Sequence, residues 1–350
     1  MRRTISEILG RKPRPGTVHI VTVGLSLRNT LINDHSPMQP WRNAPGAPER
    51  GAKTRAHVDR LIPVENPDPD IQRTLADAHR KRLKHELNGD TAEAKELDAD
   101  IAVLRPELFL SGASAELASL AHPGSPDTLQ LPPHVRAGLH DVVVLIPSDT
   151  AVGTRAALWN ALALTGGDRS RVDYLASPKD ASEPAHGRVL IAPVPGLDLL
   201  HGGDLSRAMR HIGTLGSRLI DTLAGPGHRY VFHLTGGYRA PLPYLIGLAE
   251  GMRSLRSRNG AEHAEVASVS ARMMHESRRE RLIPVPLRDL PYALVKEVFR
   301  EADEHPESFA ARGAQNDDLE GYVYQRVNRR FELTPFGEGL RALFTEPAKP

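Results

Sequence analysis

Apolar residues in this chain occur as short continuous runs and as longer amphipathic stretches, and the two kinds alternate. Residues 18–24 (VHIVTVG) are apolar and β-branched and close on Gly24, which predicts a strand. Residues 141–147 (DVVVLIP) form an unbroken apolar run, as in a strand buried on both faces. A third run, Tyr230, Val231 and Phe232, stops at Leu234. RVDYLA (171–176) and RVLIAPV (188–194) are weaker strand candidates, and AEVASVSA (264–271) with RLIPVPL (281–287) reads as a closing pair of strands.

Between these runs the period lengthens. Over residues 69–104, Ile71, Leu75, Leu83, Leu87, Leu97 and Ile101 stand among many charges. That spacing predicts two amphipathic helices broken near Asn88 and Gly89, within a solvated helical insertion at about 53–110. ASAELASL (113–120) reads as a short helix, and residues 148–164 begin polar and turn helical. Leu205, Met209, Ile212, Leu215, Leu219 and Leu223 recur every three or four residues, a strong helix signal, and another helix is expected at about 242–252. Residues 36–52 hold four prolines and two glycines and read as a loop.

Strands alternating with helices imply parallel βαβ units. Residues 17–288 therefore read as one α/β domain with a mainly parallel sheet, after a polar leader at 1–16. Beyond Pro291 the character changes. PYALVKEVFREA (291–302) and LEGYVYQRVN (319–328) read as short helices. In FELTPFGEGLRALF (331–344), Thr334 can cap a helix, Pro335 suits its first turn, and Phe336, Leu340 and Phe344 share a face. Residues 289–350 are expected to be a second, small domain with its tail.

Composition narrows the class. The 350 residues lack cysteine, which excludes disulfides, thiolate zinc sites and a cysteine nucleophile. No apolar run is long enough to span a membrane, and the basic N-terminus has no apolar core of a secretory signal, so a cytoplasmic protein without membrane partners is expected. The net charge of +2 argues neither for nor against nucleic acid.

The candidate chemistry lies where three predicted strands end. After the first come Gly24, Leu25, Ser26 and Asn29; after the middle one, Ser148, Asp149, Thr150 and Gly153; after the later one, Thr235, Gly236, Gly237, Tyr238 and Arg239. Ligands of parallel α/β sheets bind at the carboxyl ends of strands. Backbone N–H groups at such turns can hold an anion, glycine allows close approach, and an arginine can grip a phosphate with two bonds. Taken singly, each loop also has a plain reading: Gly-Gly as a turn, Ser-Asp-Thr as a helix cap, Ser26 as a turn serine. No Walker-type or dinucleotide-type glycine motif follows a strand.

TVGLSLRN (22–29), ASAELASL (113–120), VVVLIPSDTAVG (142–153) and HLTGGYRAPLPYLIGLAEG (233–251), in that order, resemble the CRISPR-associated Rossmann fold (CARF) proteins, and most of all the small CARF ring nucleases of type III systems. The resemblance covers about residues 18–287. It implies a Rossmann-like CARF sandwich and a homodimer binding cyclic oligoadenylate, usually the tetra-adenylate, with its phosphates on these loops. It also implies metal-independent cleavage without a cofactor, in which a ribose 2′-hydroxyl attacks the adjacent phosphate and leaves a 2′,3′-cyclic phosphate. The family's catalytic serine and lysine map to Ser26 and Arg239. The remaining loop positions, Gly24, Leu25, Asn29, Ser148, Asp149, Thr150, Thr235, Gly236, Gly237 and Tyr238, map to ligand contacts. Two positions depart from the family pattern. Arg239 replaces lysine, which keeps the cation but removes a proton donor, and His233 replaces asparagine, which adds a candidate acid or base.

Other classes are less well supported. The spacing of Arg73 to His79 and of Arg258 to His263 matches the HEPN ribonuclease motif, yet neither lies in a separate C-terminal helical domain. RRFELTPFGEGLRAL (329–343) resembles the closing strand and helix of a winged-helix module, with Arg326, Arg329 and Arg330 as a modest basic cluster offset by Asp317, Asp318 and Glu320. That leaves a ligand-controlled DNA-binding regulator, a non-catalytic sensor and a plain nucleotide-binding interaction protein as alternatives, with DNA as a second candidate partner.

Overall fold

The computed structural model describes residues 16–27, 69–108, 113–122, 141–180, 186–196, 204–222, 228–236, 242–255, 266–274, 281–314 and 317–344. Strand β1 (Thr17–Thr22) is buried along its whole length. Helices α1 (Pro69–Leu87), α2 (Ala92–Leu108) and α3 (Ala115–Leu120) precede β2 (Val142–Ile146), which pairs parallel with β1. Helix α4 (Ala151–Thr165) leads to β3 (Val172–Tyr174) and β4 (Val189–Ile191). Helix α5 (Asp204–Thr222) brings the chain back to β5 (His228–His233), parallel to β1 on its other side. Helix α6 (Leu242–Ser254), β6 (Val266–Met274) and β7 (Leu282–Val285) complete a sheet ordered β3-β4-β2-β1-β5-β6-β7. Only β7 runs antiparallel. The architecture is a Rossmann-like α/β fold.

Side chains alternate across this sheet because the strand period is two. Val18, Ile20, Val144, Tyr230 and Phe232 face one core, beneath α5 and α6. Val21, Val143 and Leu145 face the other, beneath α3 and α4. The two cores explain why β2 reads as an unbroken apolar run and why the centres of β1 and β5 are apolar at successive positions. Strand order reverses at β1: the chain moves outward through β2 on one side and returns through β5 on the other. The carboxyl ends of β1 and β5 therefore flank a topological switch point, where such sheets open a crevice.

Helices α1 and α2 meet the predicted break, with Gly89 at φ 81° between them. They are less solvated than expected. Leu83, Leu97 and Ile101 are buried in the second core, so one face of the pair covers α4. A buried ion pair between Glu86 of α1 and Arg155 of α4 fastens the layers, with Arg82 bonded to the same carboxylate at 2.8 Å.

The C-terminal elements are α7 (Tyr292–Glu304), α8 (Pro306–Arg312), the antiparallel hairpin β8 (Tyr324–Val327) and β9 (Arg330–Leu333), and α9 (Pro335–Phe344). Here one expectation fails: 319–328 is not a helix. Asn328 and Arg329 take positive φ (49° and 68°), which makes a tight two-residue hairpin turn, and Tyr324 packs edge-on to both Phe309 and Phe331. The predicted cap of α9 forms, with the Thr334 hydroxyl accepting the Gly337 N–H at 2.9 Å. Helix α9 crosses α5 so closely that a Cβ on Gly213 would overlap the carbonyl of Gly339. Leu340, Leu343 and Phe344 join the first core, each such burial contributing about 1.5–3 kcal/mol. Glu250 of α6 adds a polar fastening: it accepts bonds from the Arg288 backbone (3.1 Å) and guanidinium (3.0 and 2.9 Å), and from the Tyr322 hydroxyl (2.7 Å).

Candidate ligand site at the carboxyl edge

Because β2, β1 and β5 are neighbours, the three loops singled out in the sequence lie side by side at one sheet edge. Val23 N–H donates to the Ile146 carbonyl at 3.0 Å, tying the β1 loop to β2. The Thr22 hydroxyl reaches the carbonyls of His233 (3.3 Å) and Gly236, tying it to β5.

Between the β1 and β5 loops stands a residue to which sequence reasoning gave no role, Glu116. It lies in the first turn of α3, whose N-cap Ser114 accepts the Leu117 N–H at 3.0 Å and donates to Asn160 of α4 at 2.7 Å. Glu116 is 0% exposed. One carboxylate oxygen accepts the Gly24 N–H at 2.9 Å, and the other accepts the Ser26 hydroxyl. Ser26 Oγ in turn accepts the Ala115 N–H at 3.1 Å. A Cβ on Gly236 would overlap the Glu116 carboxylate, so only glycine fits opposite it. Burial pushes the Glu116 carboxyl above its ordinary range, against the opposing bonds from Ser26 and Gly24. Glu116 forms no ion pair among the described residues. The sequence signal was faint: a carboxylate two residues past a capping serine, in a short helix that is otherwise apolar but for Ser119.

His233 lies beneath the loop rather than at its surface. It is 0% exposed, and its Nε2 is 3.2 Å from Arg272 Nη2 and 3.1 Å from His19 Nδ1. Arginine only donates, so Nε2 of His233 accepts and its proton sits on Nδ1, directed at Ser119 Oγ 3.0 Å away. His19 must then donate from Nδ1. Its Nε2 is buried without a hydrogen-bond partner among the described residues. Burial, then the charges of Arg272 and Arg229, lowers His19 to about 3. Burial, then Arg272 and His19, holds His233 well below the usual histidine value. Both rings are neutral. Thr235 joins the same network, accepting the Met274 N–H at 2.8 Å and donating to Ser119 Oγ at 3.3 Å.

At the β2 loop, Thr150 caps α4 by accepting the Gly153 N–H at 3.0 Å, and Ser148 Oγ lies 3.1 Å from the Thr150 hydroxyl. Asp149 is 3.6 Å from Arg80 of α1, which brings the insertion to the rim of the edge. Leu25 is exposed at the tip of the β1 loop. Gly24, Ser26 and Gly236 are thus brought together around Glu116, with Thr235 bonded to Ser119 of the same helix and Ser148, Asp149 and Thr150 at the neighbouring strand end. Asn29, Gly237, Tyr238 and Arg239 lie outside the described residues. Among the described residues no group of three or more His, Asp or Glu converges as a metal-ligand set, and no helix is long and apolar enough to cross a membrane. No protein-family model matches the chain, and no curated protein matches it.

Proposed function

We propose that this protein is a CARF-type protein that binds cyclic oligoadenylate, most readily the tetra-adenylate, on the loops after β1, β2 and β5 of two subunits, and cleaves it without metal. The observation that carries this reading is the convergence of the three sequence-identified loops at one switch point, with the β1 and β5 loops hydrogen-bonded to each other there. The four motifs supply the ligand class; the topology supplies a reason for their order. In this reading Ser26 and Arg239 flank the reacting phosphodiester, and Arg239 stabilises charge on the transition state. His233, neutral and buried, holds the loop in place instead of exchanging protons with the ligand. By removing the ring, the protein would tune type III CRISPR signalling.

Incubating the pure protein with labelled cyclic tetra-adenylate in EDTA tests this. Linear products ending in a 2′,3′-cyclic phosphate support it. An unchanged ring that is nonetheless bound reduces it to a sensor.

One observation favours a second activity in the tail. The β8–β9 hairpin projects Arg326, Arg329 and Arg330 as exposed side chains, with the Arg326 guanidinium 5.6 Å over the Phe331 ring. We read α7 to α9 as a winged-helix-like module whose hairpin contacts DNA phosphates. DNA affinity that falls steeply with salt supports this; no binding at low salt refutes it.

A further inference from the structure

A serine hydroxyl carries one proton to donate and two lone pairs to accept with. In Ser26 the proton is directed at Glu116 and one lone pair receives the Ala115 N–H. Among the described residues, one accepting position remains. Any ligand atom that meets Ser26 must therefore bring a proton of its own, which selects a hydroxyl or amino group and rejects a phosphate oxygen. In an RNA ring the hydroxyl available at every linkage is the ribose 2′-hydroxyl, the nucleophile of the proposed cleavage.

We propose that Ser26 and Glu116 form a proton relay, in which Ser26 Oγ receives the proton of the attacking 2′-hydroxyl while handing its own to the Glu116 carboxylate. This rests on the ring-cleavage reading above. The 2′-oxygen then forms its bond to phosphorus, the bond from phosphorus to the 5′-oxygen breaks, and that oxygen leaves as a hydroxyl with a proton from water. The products are a 2′,3′-cyclic phosphate and a 5′-hydroxyl end. Glu116 returns its proton to solvent before the next turnover. Glu116 touches Ser26 and not the ligand, so it is a positioning and proton-accepting residue acting through the serine.

The surroundings suit that task. Glu116 is buried between Gly24 and Gly236, away from bulk water, and its raised affinity for protons makes it a stronger base than an exposed carboxylate. The elements packed around α3 contribute His233 from β5, Arg272 from β6 and His19 from β1, while α4 contributes the neutral Asn160. Both histidines are neutral, and Arg272 directs Nη2 at His233. Among the described residues, His122, just past the end of α3, is the other titratable group on that segment.

The test is single-turnover cleavage of cyclic tetra-adenylate in EDTA across pH 5 to 8, with ring binding measured on the same samples. Glu116→Gln keeps an acceptor for the Gly24 N–H but offers Ser26 an amide donor. It is expected to retain ring binding through the other loop contacts and to cleave the ring about 100-fold or more slowly. Wild-type cleavage is expected to rise with pH along an acid limb that the variant lacks. Should the variant fail to fold, Ser26→Ala decides in its place: cleavage by it at the wild-type rate overturns the relay. Cleavage by Glu116→Gln at the wild-type rate also overturns it and leaves the functional reading standing. Ring binding without cleavage by the wild type removes the relay and reduces the functional reading to a sensor, whereas no ring binding by the wild type removes the functional reading and the relay with it.

Discussion

The carboxylate of Glu116 rests against the backbone of Gly236, 120 positions along the chain, with no room for a Cβ between them. Gly236→Ala should force the two loops apart. The expected cost is about 1–3 kcal/mol, as for overpacking a filled interior. A lowered urea midpoint with unchanged slope is the signature. A variant as stable as the wild type would mean that the loops can separate freely.

Arg155 and Glu86 form an ion pair with both side chains at most 2% exposed. Arg155→Met leaves Glu86 with Arg82 as its cationic partner, so it should cost about 1.5–3 kcal/mol, the loss of a hydrogen bond to a buried charge. Adding Glu86→Leu should recover most of that loss, because two apolar residues of suitable size need no counter-charge. Arg82, which also bonds Glu86, has a side chain 41% exposed and can turn to water. Chemical denaturation of the two single variants and the double variant closes the cycle. A double variant no better than Arg155→Met alone would contradict the desolvation account.

His19 and His233 are held neutral in the fold, whereas in the unfolded chain each takes up a proton near pH 6.5. The unfolded state thus binds more protons below that pH, and stability falls as the medium is acidified. Each histidine contributes about 1.4 kcal/mol per pH unit below 6.5, and for His19 this continues toward its folded value of about 3. Glu116 acts in the opposite direction: its raised folded value costs stability as pH rises from the ordinary carboxylate range through that value. His233→Asn should therefore flatten the acid side of the stability profile by about 1.4 kcal/mol per unit between pH 5 and 6.5. An unaltered slope would place the proton uptake elsewhere.

How much of this was legible in the sequence follows from how far apart interacting residues lie. Strands β1, β2 and β5 were readable because burial on both faces places apolar residues at successive positions, and α5 because its apolar residues keep one period. The candidate loops were readable because glycine and hydroxyl residues crowd where those runs stop. Glu116 was not, since its partner Gly24 is 92 positions away and nothing local distinguishes a buried carboxylate from a surface one. The docking of α1 on α4 was hidden for the same reason: its amphipathic pattern shows a face to be covered but not what covers it. The misreading of 319–328 is a case of tertiary packing deciding. Tyr324 has a place between Phe309 and Phe331 only as part of a hairpin.

Thr334 joins the hairpin to α9: its hydroxyl accepts from Gly337 and donates to the Tyr322 carbonyl at 2.6 Å. Thr334→Ala removes both bonds and should cost about 1 kcal/mol or somewhat more, while Thr334→Ser should retain most of it. Thermal unfolding of the three proteins decides, and equal midpoints would show that the cap carries little of the tail's stability.

The central claim is that cyclic oligoadenylate binds at the switch point between β1 and β5. Equilibrium titration of the intact protein with labelled cyclic tetra-adenylate tests it most directly, with Arg239→Ala and Arg258→Ala alongside. The account predicts saturable binding at one ring per dimer, weakened by Arg239→Ala and untouched by Arg258→Ala. Absence of binding to rings of any size, or loss of binding through Arg258→Ala alone, would contradict it.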